Sequence, residues 1–97
     1  MKKCNSLQEV RDEIDVLDQQ LIELISQRSH LIRQAAAFKD TIEDVKAEDR
    51  IDDVMQRARN KAISLGINPN MISDLFKVMI DEMVETEIAE FRNSGKF

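Results

Sequence analysis

Apolar residues recur every three or four positions through the first part of the chain. This is the spacing of the a and d positions of a heptad, which lie on one face of an α-helix. No Gly or Pro occurs between Met1 and Leu65 to interrupt the pattern. The pattern therefore predicts one long helix from about residue 7 to about residue 39. The residues that make it are Leu7, Val10, Ile14, Leu17, Leu21, Leu24, Leu31, Ala35, Phe38 and Ile42.

The start of this helix carries a recognisable signal. Ser6 suits the N-cap position, and Glu9 stands three residues later, as in a capping box. At ~1.5 Å per residue the predicted helix spans roughly 50 Å. A chain of 97 residues has too little material of its own to cover an apolar face of that length. The pattern therefore indicates that the helix packs against a second copy of the chain.

The rest of the chain predicts two further helices. Residues 39–50 are polar and predict a loop, and a second helix is expected from about 47 to 65, with Gly66 at its C-terminal cap. Asn68 suits an N-cap and Pro69 a first helical position, so a third helix is expected to run to about 92. We expect an all-α protomer of three helices in a single domain, residues 1–97, with a core at about 6–92. The inward-facing residues are expected to be Ile51, Val54, Met55, Ala58, Ala62 and Leu65, then Ile72, Leu75, Phe76, Met79, Ile80, Met83 and Phe91.

Composition narrows the classes of partner and site. The chain is 42% hydrophobic and 34% charged, as expected of a folded soluble protein, and its net charge of −5 disfavours nucleic acid and acidic membranes as partners. Cys4 and His30 are each the one residue of their type, which argues against a disulfide, a metal site or a cofactor site built on them. No segment resembles a signal peptide or a membrane span, so the cytoplasm is the expected location.

Two ionisable residues fall on faces that should be apolar. Arg28 occupies the a position that follows Leu21, and Glu87 lies four residues from both Met83 and Phe91 on the third helix. Lys39 follows Arg28 by eleven residues, about three turns, so on a continuous helix the two point nearly the same way. Each of these positions is a candidate for a binding site.

Arg11 extends this set through a second chain. It lies roughly 25 Å along the helix from Arg28, at ~1.5 Å per residue, so the two cannot meet within one straight helix. In an antiparallel homodimer, Arg11 of one copy can approach Arg28 and Lys39 of the other. Two arginines and a lysine would form a pocket for a small dianionic ligand, because a guanidinium pairs with a carboxylate through two parallel hydrogen bonds.

Each charge also has a purely structural interpretation. A polar residue at an a position, such as Arg28, can serve only to fix the helix register. Arg11 can be a solvated flank or pair with Asp15, and Lys39 can cap a helix end, where a cation complements the dipole. Glu87 can be an ion-pair partner inside the core for Lys39 or Arg28.

The stretch "VRDEIDVLDQQLIELISQRSHLIRQAAAFK" resembles the first helix of the all-helical chorismate mutase family, and "AEDR" and "GINPNMISDLFKVMIDEMVETE" extend the similarity. The spacing of Arg11, Arg28 and Lys39 is its specific part. The resemblance implies an intertwined dimer with two shared active sites, which convert chorismate to prephenate without metal or cofactor. It also implies that Arg28 and Lys39 bind substrate within one chain and that Arg11 reaches in from the other.

Departures from the family pattern qualify the expected chemistry. Glu87 stands where the family commonly has Gln, and it can donate to the ether oxygen of the substrate only when protonated. We therefore expect activity to rise as the pH falls below neutral. Asp49 matches a family Glu that binds the ring hydroxyl, and Glu48, Val45 and Met83 also differ. A short Lys39–Arg50 link resembles the subgroup that removes pyruvate from isochorismate, so this lyase activity, or a silent dimerisation or regulatory module, stays an alternative.

Overall fold

The computed structural model describes residues 3–93, and every regular element in that range is an α-helix. The helices are α1 (Leu7–Ala36), α2 (Ile42–Lys46), α3 (Glu48–Leu65) and α4 (Pro69–Asn93). The all-α prediction is confirmed, as three long helices and one short helix. The described chain forms two compact units, residues 3–31 and residues 32–93. That the chain is one domain stays a prediction.

The predicted start of α1 is confirmed. The backbone N–H of Glu9 donates to Ser6 Oγ at 3.1 Å, and the Glu9 carboxylate accepts from the backbone N–H of Asn5 at 3.0 Å. A standard capping box would use the N–H of Ser6 in the second bond, so the reciprocal partner lies one residue earlier. Two otherwise unpaired donors are satisfied in this way, and a cap of this kind stabilises a helix by about 1 kcal/mol.

The α1 apolar face, defined by the residues listed at the end of this paragraph, is open to solvent in the single chain. All six side chains have between 39% and 63% of their surface exposed. They lie in the N-terminal unit, and their spacing is the predicted heptad spacing. Exposed apolar stripes on this scale are typical of association surfaces in soluble proteins. The six residues are Leu7, Val10, Ile14, Leu17, Leu21 and Leu24.

The predicted end of α1 is wrong by about one turn, because the helix stops at Ala36 and not near Lys39. The N–H groups of Ala37, Phe38 and Lys39 each bond to the carbonyl three residues earlier, at 3.0–3.2 Å, which tightens and closes the last turn. Lys39 therefore lies beyond the helix. Because Lys39 is not on the helix that carries Arg28, three turns of α1 do not align the two side chains.

The predicted 39–50 loop contains α2. Thr41 has extended backbone angles and caps this helix by accepting the Asp44 N–H on its hydroxyl, at 3.1 Å. Val45 anchors α2, since only 3% of it is exposed. Ala47 then adopts a left-handed conformation, with φ 36°, and separates α2 from α3. The prediction missed α2 because a five-residue helix is too short to show an apolar period.

The turn between α3 and α4 follows the prediction. Gly66 ends α3 with φ 76°, and its N–H bonds to the last carbonyls of the helix. Asn68 Oδ1 accepts the N–H of Asn70 at 2.9 Å, which caps α4, and Pro69 is the first residue of α4. Arg59 ties the two helices together by donating to the Pro69 carbonyl, Asn70 Oδ1 and Ser73 Oγ, at 2.7–3.2 Å.

The core of residues 32–93 lies where α2 and α3 pack on α4. Its most buried apolar residues are Ala36, Val45, Ala62, Ile80 and Phe91. Two of the residues predicted to face inward are exposed, Leu65 by 63% and Leu75 by 55%. Leu65 is the last residue of α3, and the apolar stripe of α4 is wider than the surface that α3 covers. The remaining predicted residues are buried or half-buried: Ile51, Val54, Met55, Ala58, Ala62, Ile72, Phe76, Met79, Ile80, Met83 and Phe91.

Candidate active site

The site centres on a carboxyl group buried in the C-terminal part of α4. Glu87 is only 6% exposed, and it lies on the stripe that carries Ile80 and Phe91. Its place on an apolar face is therefore confirmed. Its Oε1 atom is shielded from solvent and receives no hydrogen bond from residues 3–93. Burying a carboxylate in such surroundings costs free energy unless a cation or a proton compensates its charge.

Lys39 supplies that cation. Its Nζ lies 3.6 Å from Glu87 Oε1, and the two side chains are 24% and 7% exposed. This distance is that of an ion pair and is longer than the donor–acceptor distance of a good hydrogen bond. Of the two core partners proposed for Glu87 from the sequence, Lys39 is confirmed. Lys39 belongs to the link between α1 and α2, so the pair joins this link to α4.

Lys39 also binds the backbone of α2. Its Nζ donates to the carbonyl oxygen of Asp44 at 2.9 Å. That carbonyl is among the last four of α2, which have no acceptor role within the helix. The expectation that Lys39 caps a helix end thus holds for α2 rather than for α1. One ammonium group is shared between a helix end and a buried acid.

The environment of Glu87 raises the pKa of its carboxyl group above the ordinary value of 4.5. Burial is the main cause, because an apolar setting disfavours the ionised form. The nearby Lys39 ammonium acts in the opposite direction and lowers the pKa, without cancelling the effect of burial. Glu87 therefore holds a proton to a higher pH than an exposed glutamate. A protonated acid and an ammonium together form a pair of hydrogen-bond donors.

The two arginines of the predicted set lie in the N-terminal unit. Arg28 is half-buried and its Nη1 is shielded from solvent, whereas Arg11 is exposed. Both belong to α1, which is continuous between them, so their axial separation is about 25 Å at ~1.5 Å per residue. A site that includes both guanidinium groups therefore requires a second chain.

Asp49 lies in the first turn of α3 and is exposed. It lines an open surface cavity of about 550 Å³, and neither Lys39 nor Glu87 is among the residues that line it. The structure brings Lys39 and Glu87 together and places Asp49 on this cavity. The other residues around the cavity are Glu43, Lys46, Ala47, Glu48 and Arg50.

The sequence analysis does not predict a role for two residues of the link: Asp44, whose carbonyl accepts from Lys39 Nζ, and Thr41, which caps α2. A signal for them exists, because a threonine followed three residues later by an acid is the spacing of a capping box. The net polar character of residues 40–44 conceals it. Within residues 3–93, no group of three or more His, Cys, Asp or Glu side chains is arranged to hold a metal ion.

A family model described as chorismate mutase type II matches residues 10–88. The matched range includes Arg11, Arg28, Lys39, Asp49 and Glu87. A search of curated protein sequences gave no match. None of the helices within residues 3–93 has both the length and the apolar character needed to cross a bilayer.

Proposed function

This chain belongs to the chorismate mutase type II family, and we propose that it converts chorismate to prephenate. The reaction is a Claisen rearrangement, in which the ether C–O bond of the enolpyruvyl group breaks as a new C–C bond forms. No proton, electron or group leaves the molecule. The reaction therefore asks two things of the protein: a reactive substrate conformation and stabilisation of the charge that develops on the ether oxygen.

The observation that carries the proposal is the Lys39–Glu87 pair. Lys39 Nζ and Glu87 Oε1 lie 3.6 Å apart in a largely buried position, and burial raises the pKa of Glu87. Lys39 Nζ and protonated Glu87 would both donate hydrogen bonds to the ether oxygen. These bonds strengthen as negative charge grows on that oxygen, so they stabilise the transition state more than the bound substrate.

Arg28 and the partner subunit's Arg11 would bind the two carboxylates of the substrate. Each guanidinium can form a pair of parallel hydrogen bonds with one carboxylate and so hold the flexible ether in its folded shape. The Asp49 carboxylate would accept a hydrogen bond from the ring hydroxyl of the substrate. An antiparallel homodimer is part of this proposal, and the exposed α1 apolar face supports it.

Glu87 gives the proposed reaction a defined pH dependence. An ionised carboxylate cannot donate a hydrogen bond and repels the developing charge on the ether oxygen. The rate should therefore fall as the pH rises through the raised pKa of Glu87. In Glu87→Gln the amide donates at any pH, so the profile should become flat. An unchanged slope in this variant would contradict the assigned role of Glu87.

The experiment that tests the function supplies chorismate and isochorismate separately to the purified protein and identifies the products. Lys39→Ala should lower kcat/KM by about 10²–10³-fold, the usual effect of removing one donor to a developing oxyanion. Lys61→Ala is the matched control, because it removes an exposed lysine of α3. Full activity of Lys39→Ala, with the dimer intact, would refute the proposal.

Isochorismate pyruvate-lyase activity is the second candidate, and the short link from Lys39 to the start of α3 favours it. In that reaction the same ether bond breaks, a ring hydrogen moves to the enolpyruvyl carbon, and salicylate and pyruvate are released. The same cations would serve. Formation of pyruvate from isochorismate, with no prephenate from chorismate, would select this activity. Absence of both products would leave a non-catalytic helical module.

A further inference from the structure

The link between α1 and α3 contains a small hydrogen-bond network centred on Asp44. The backbone N–H of Asp44 donates to Thr41 Oγ1 at 3.1 Å, and Asp44 Oδ2 accepts the backbone N–H of Asp40 at 3.2 Å. Thr41 itself is in the extended conformation of an N-cap. The backbone and the side chain of Asp44 are therefore both fixed by residues that precede α2.

The same residue presents its carbonyl oxygen to Lys39. Lys39 Nζ donates to this oxygen at 2.9 Å and lies 3.6 Å from Glu87 Oε1. Val45, the next residue, is only 3% exposed, and its burial anchors α2 in the core. A continuous chain of contacts therefore leads from the Thr41 hydroxyl, through Asp44, to the ammonium beside Glu87.

From this geometry we propose that Thr41 and Asp44 are positioning residues, which hold the Lys39 ammonium beside Glu87 through the Asp44 carbonyl. The inference rests on the proposed function for its effect on catalysis. The positional part does not depend on any reaction. Neither residue need touch the substrate for this role.

The shortness of α2 makes this capping important. A helix of five residues cannot sustain itself, because too few hydrogen bonds compensate for the cost of nucleation. Its order must come from the Thr41 cap and from the burial of Val45. Loss of the Thr41 hydroxyl should free the backbone of Asp44, and the Lys39 side chain then loses the acceptor that restrains it.

Lys39 is the charged group whose field acts on Glu87. The acidic neighbours of Glu87 on α4, Glu85 and Glu90, are exposed. The charged side chains on the adjoining elements also reach solvent, where water screens them. Those on α2 and the first turn of α3 are Glu43, Asp44, Lys46, Glu48, Asp49 and Arg50.

The direction of the change in the pKa of Glu87 separates positioning from a structural role. When Lys39 moves away, its favourable interaction with the carboxylate is lost, and the pKa of Glu87 rises further. When the site merely loosens and admits water, burial weakens and the pKa falls. Positioning therefore predicts a lower kcat together with a pH profile displaced to higher pH, at little change in KM.

The test compares Thr41→Val with Thr41→Ser in the full chain. Thr41→Val keeps the shape and removes the hydroxyl, and should lower kcat about fivefold, the size expected from losing an N-cap. The Glu87 carboxyl, followed by ¹³C NMR, should titrate at a higher pH than in the unaltered protein. Thr41→Ser restores the hydroxyl and should restore both values. Asp44→Ala, which keeps the carbonyl but loses the bond to Asp40, should change both in the same direction by less.

Ser6→Ala is the matched control, since it removes the same kind of cap from α1. It should destabilise the protein without moving the titration of Glu87. An unchanged or lowered pKa of Glu87 in Thr41→Val, or an equal rise in Ser6→Ala, would overturn the positioning role. If Thr41→Val raises that pKa while the unaltered protein forms neither prephenate nor pyruvate, the positioning stands and the proposed function falls.

Discussion

Residues 3–31 and residues 32–93 expose their apolar side chains to very different extents. In the first region, every residue of the α1 apolar face is at least 39% exposed. In the second, Val45, Ala62, Ile80 and Phe91 are no more than 7% exposed. The second region thus has a core of its own, built by packing α3 and α2 on α4. The first region presents an apolar surface that is open to solvent in the single chain.

The charged groups differ between the regions in the same way. Glu87 and Lys39 pair inside the second region, where burial raises the pKa of the acid. Arg11, in the first region, is exposed, and Arg28 is half-buried. The second region therefore contains the donors proposed for the ether oxygen, and the first contains the groups proposed for the carboxylates. Catalysis as proposed needs side chains from both regions. The two arginines of the first region must come from two different chains.

The largest expected effect comes from removing a guanidinium of the first region. Arg11→Ala and Arg28→Ala should each lower kcat/KM on the order of 10²- to 10³-fold, the usual loss when a buried charge pair with a ligand is broken. Steady-state kinetics on chorismate measures this. Arg33→Ala is the control, because Arg33 is an exposed arginine in the last turn of α1.

Mixing the two inactive variants sharpens the comparison. In a dimer of one Arg11→Ala chain and one Arg28→Ala chain, one of the two sites has both arginines intact. Random exchange makes half of the dimers mixed, so about a quarter of the original activity should return. Recovery requires that the sites be shared between chains. No recovery after demonstrated subunit exchange would show that each site lies within one chain.

A smaller effect is expected on association from a change in the α1 apolar face. Leu21→Glu places a charge where the partner would bury a leucine, whose burial stabilises by about 1.5–3 kcal/mol. The dissociation constant of the proposed dimer should be at least about tenfold larger than in the unaltered protein, as measured by analytical ultracentrifugation. Gln19→Glu, outside the apolar spacing of the same helix, should leave association unchanged. Equal association of the two variants would refute the proposed interface.

Glu87→Gln tests the second region through its stability. Because the folded protein raises the pKa of Glu87 above 4.5, it binds this proton more tightly than the unfolded chain. The free energy of unfolding should therefore fall as the pH rises from about the ordinary value through the raised one. The variant should lose this slope and be more stable than the unaltered protein above that range.

Urea unfolding at a series of pH values measures that slope. Glu90→Gln is the matched control on the same helix, because Glu90 is exposed. It should keep the pH dependence of the unaltered protein. The same slope in Glu87→Gln as in the control would mean that burial of Glu87 does not govern the pH dependence of folding.

The two regions also differ in how far the sequence determines them. The cap at Ser6, the turn at Gly66 and the start of α4 at Pro69 follow from local residue preferences, and all three are confirmed. The end of α1 and the presence of α2 do not, because the polar side chains of residues 40–44 bond to their own backbone and compete with the helix. The capping box of Thr41 and Asp44 is readable only once α2 is suspected.

The candidate site shows the same division. The apolar period around Glu87 suffices to predict its burial, and a buried acid requires a cation, which makes Lys39 a reasonable partner from sequence. The acceptor role of the Asp44 carbonyl could not be predicted, since it depends on the fold of the link and not on the type of side chain. The approach of Arg11 to Arg28 depends on a second chain, and it stays a prediction.

The smallest expected effects concern the two left-handed residues that close the turns of the second region. Ala47 has φ 36° and Gly66 has φ 76°. An alanine in this conformation is strained by about 1–2 kcal/mol, whereas glycine is not. Ala47→Gly should therefore stabilise the protein by up to about 1 kcal/mol, and Gly66→Ala should destabilise it by about the same amount. A Cβ at position 66 would meet no atom within 4 Å, so its cost is purely that of the backbone conformation. Urea unfolding of both variants at one pH measures the two shifts, and changes of the same sign would show that strain does not decide the stability of these turns.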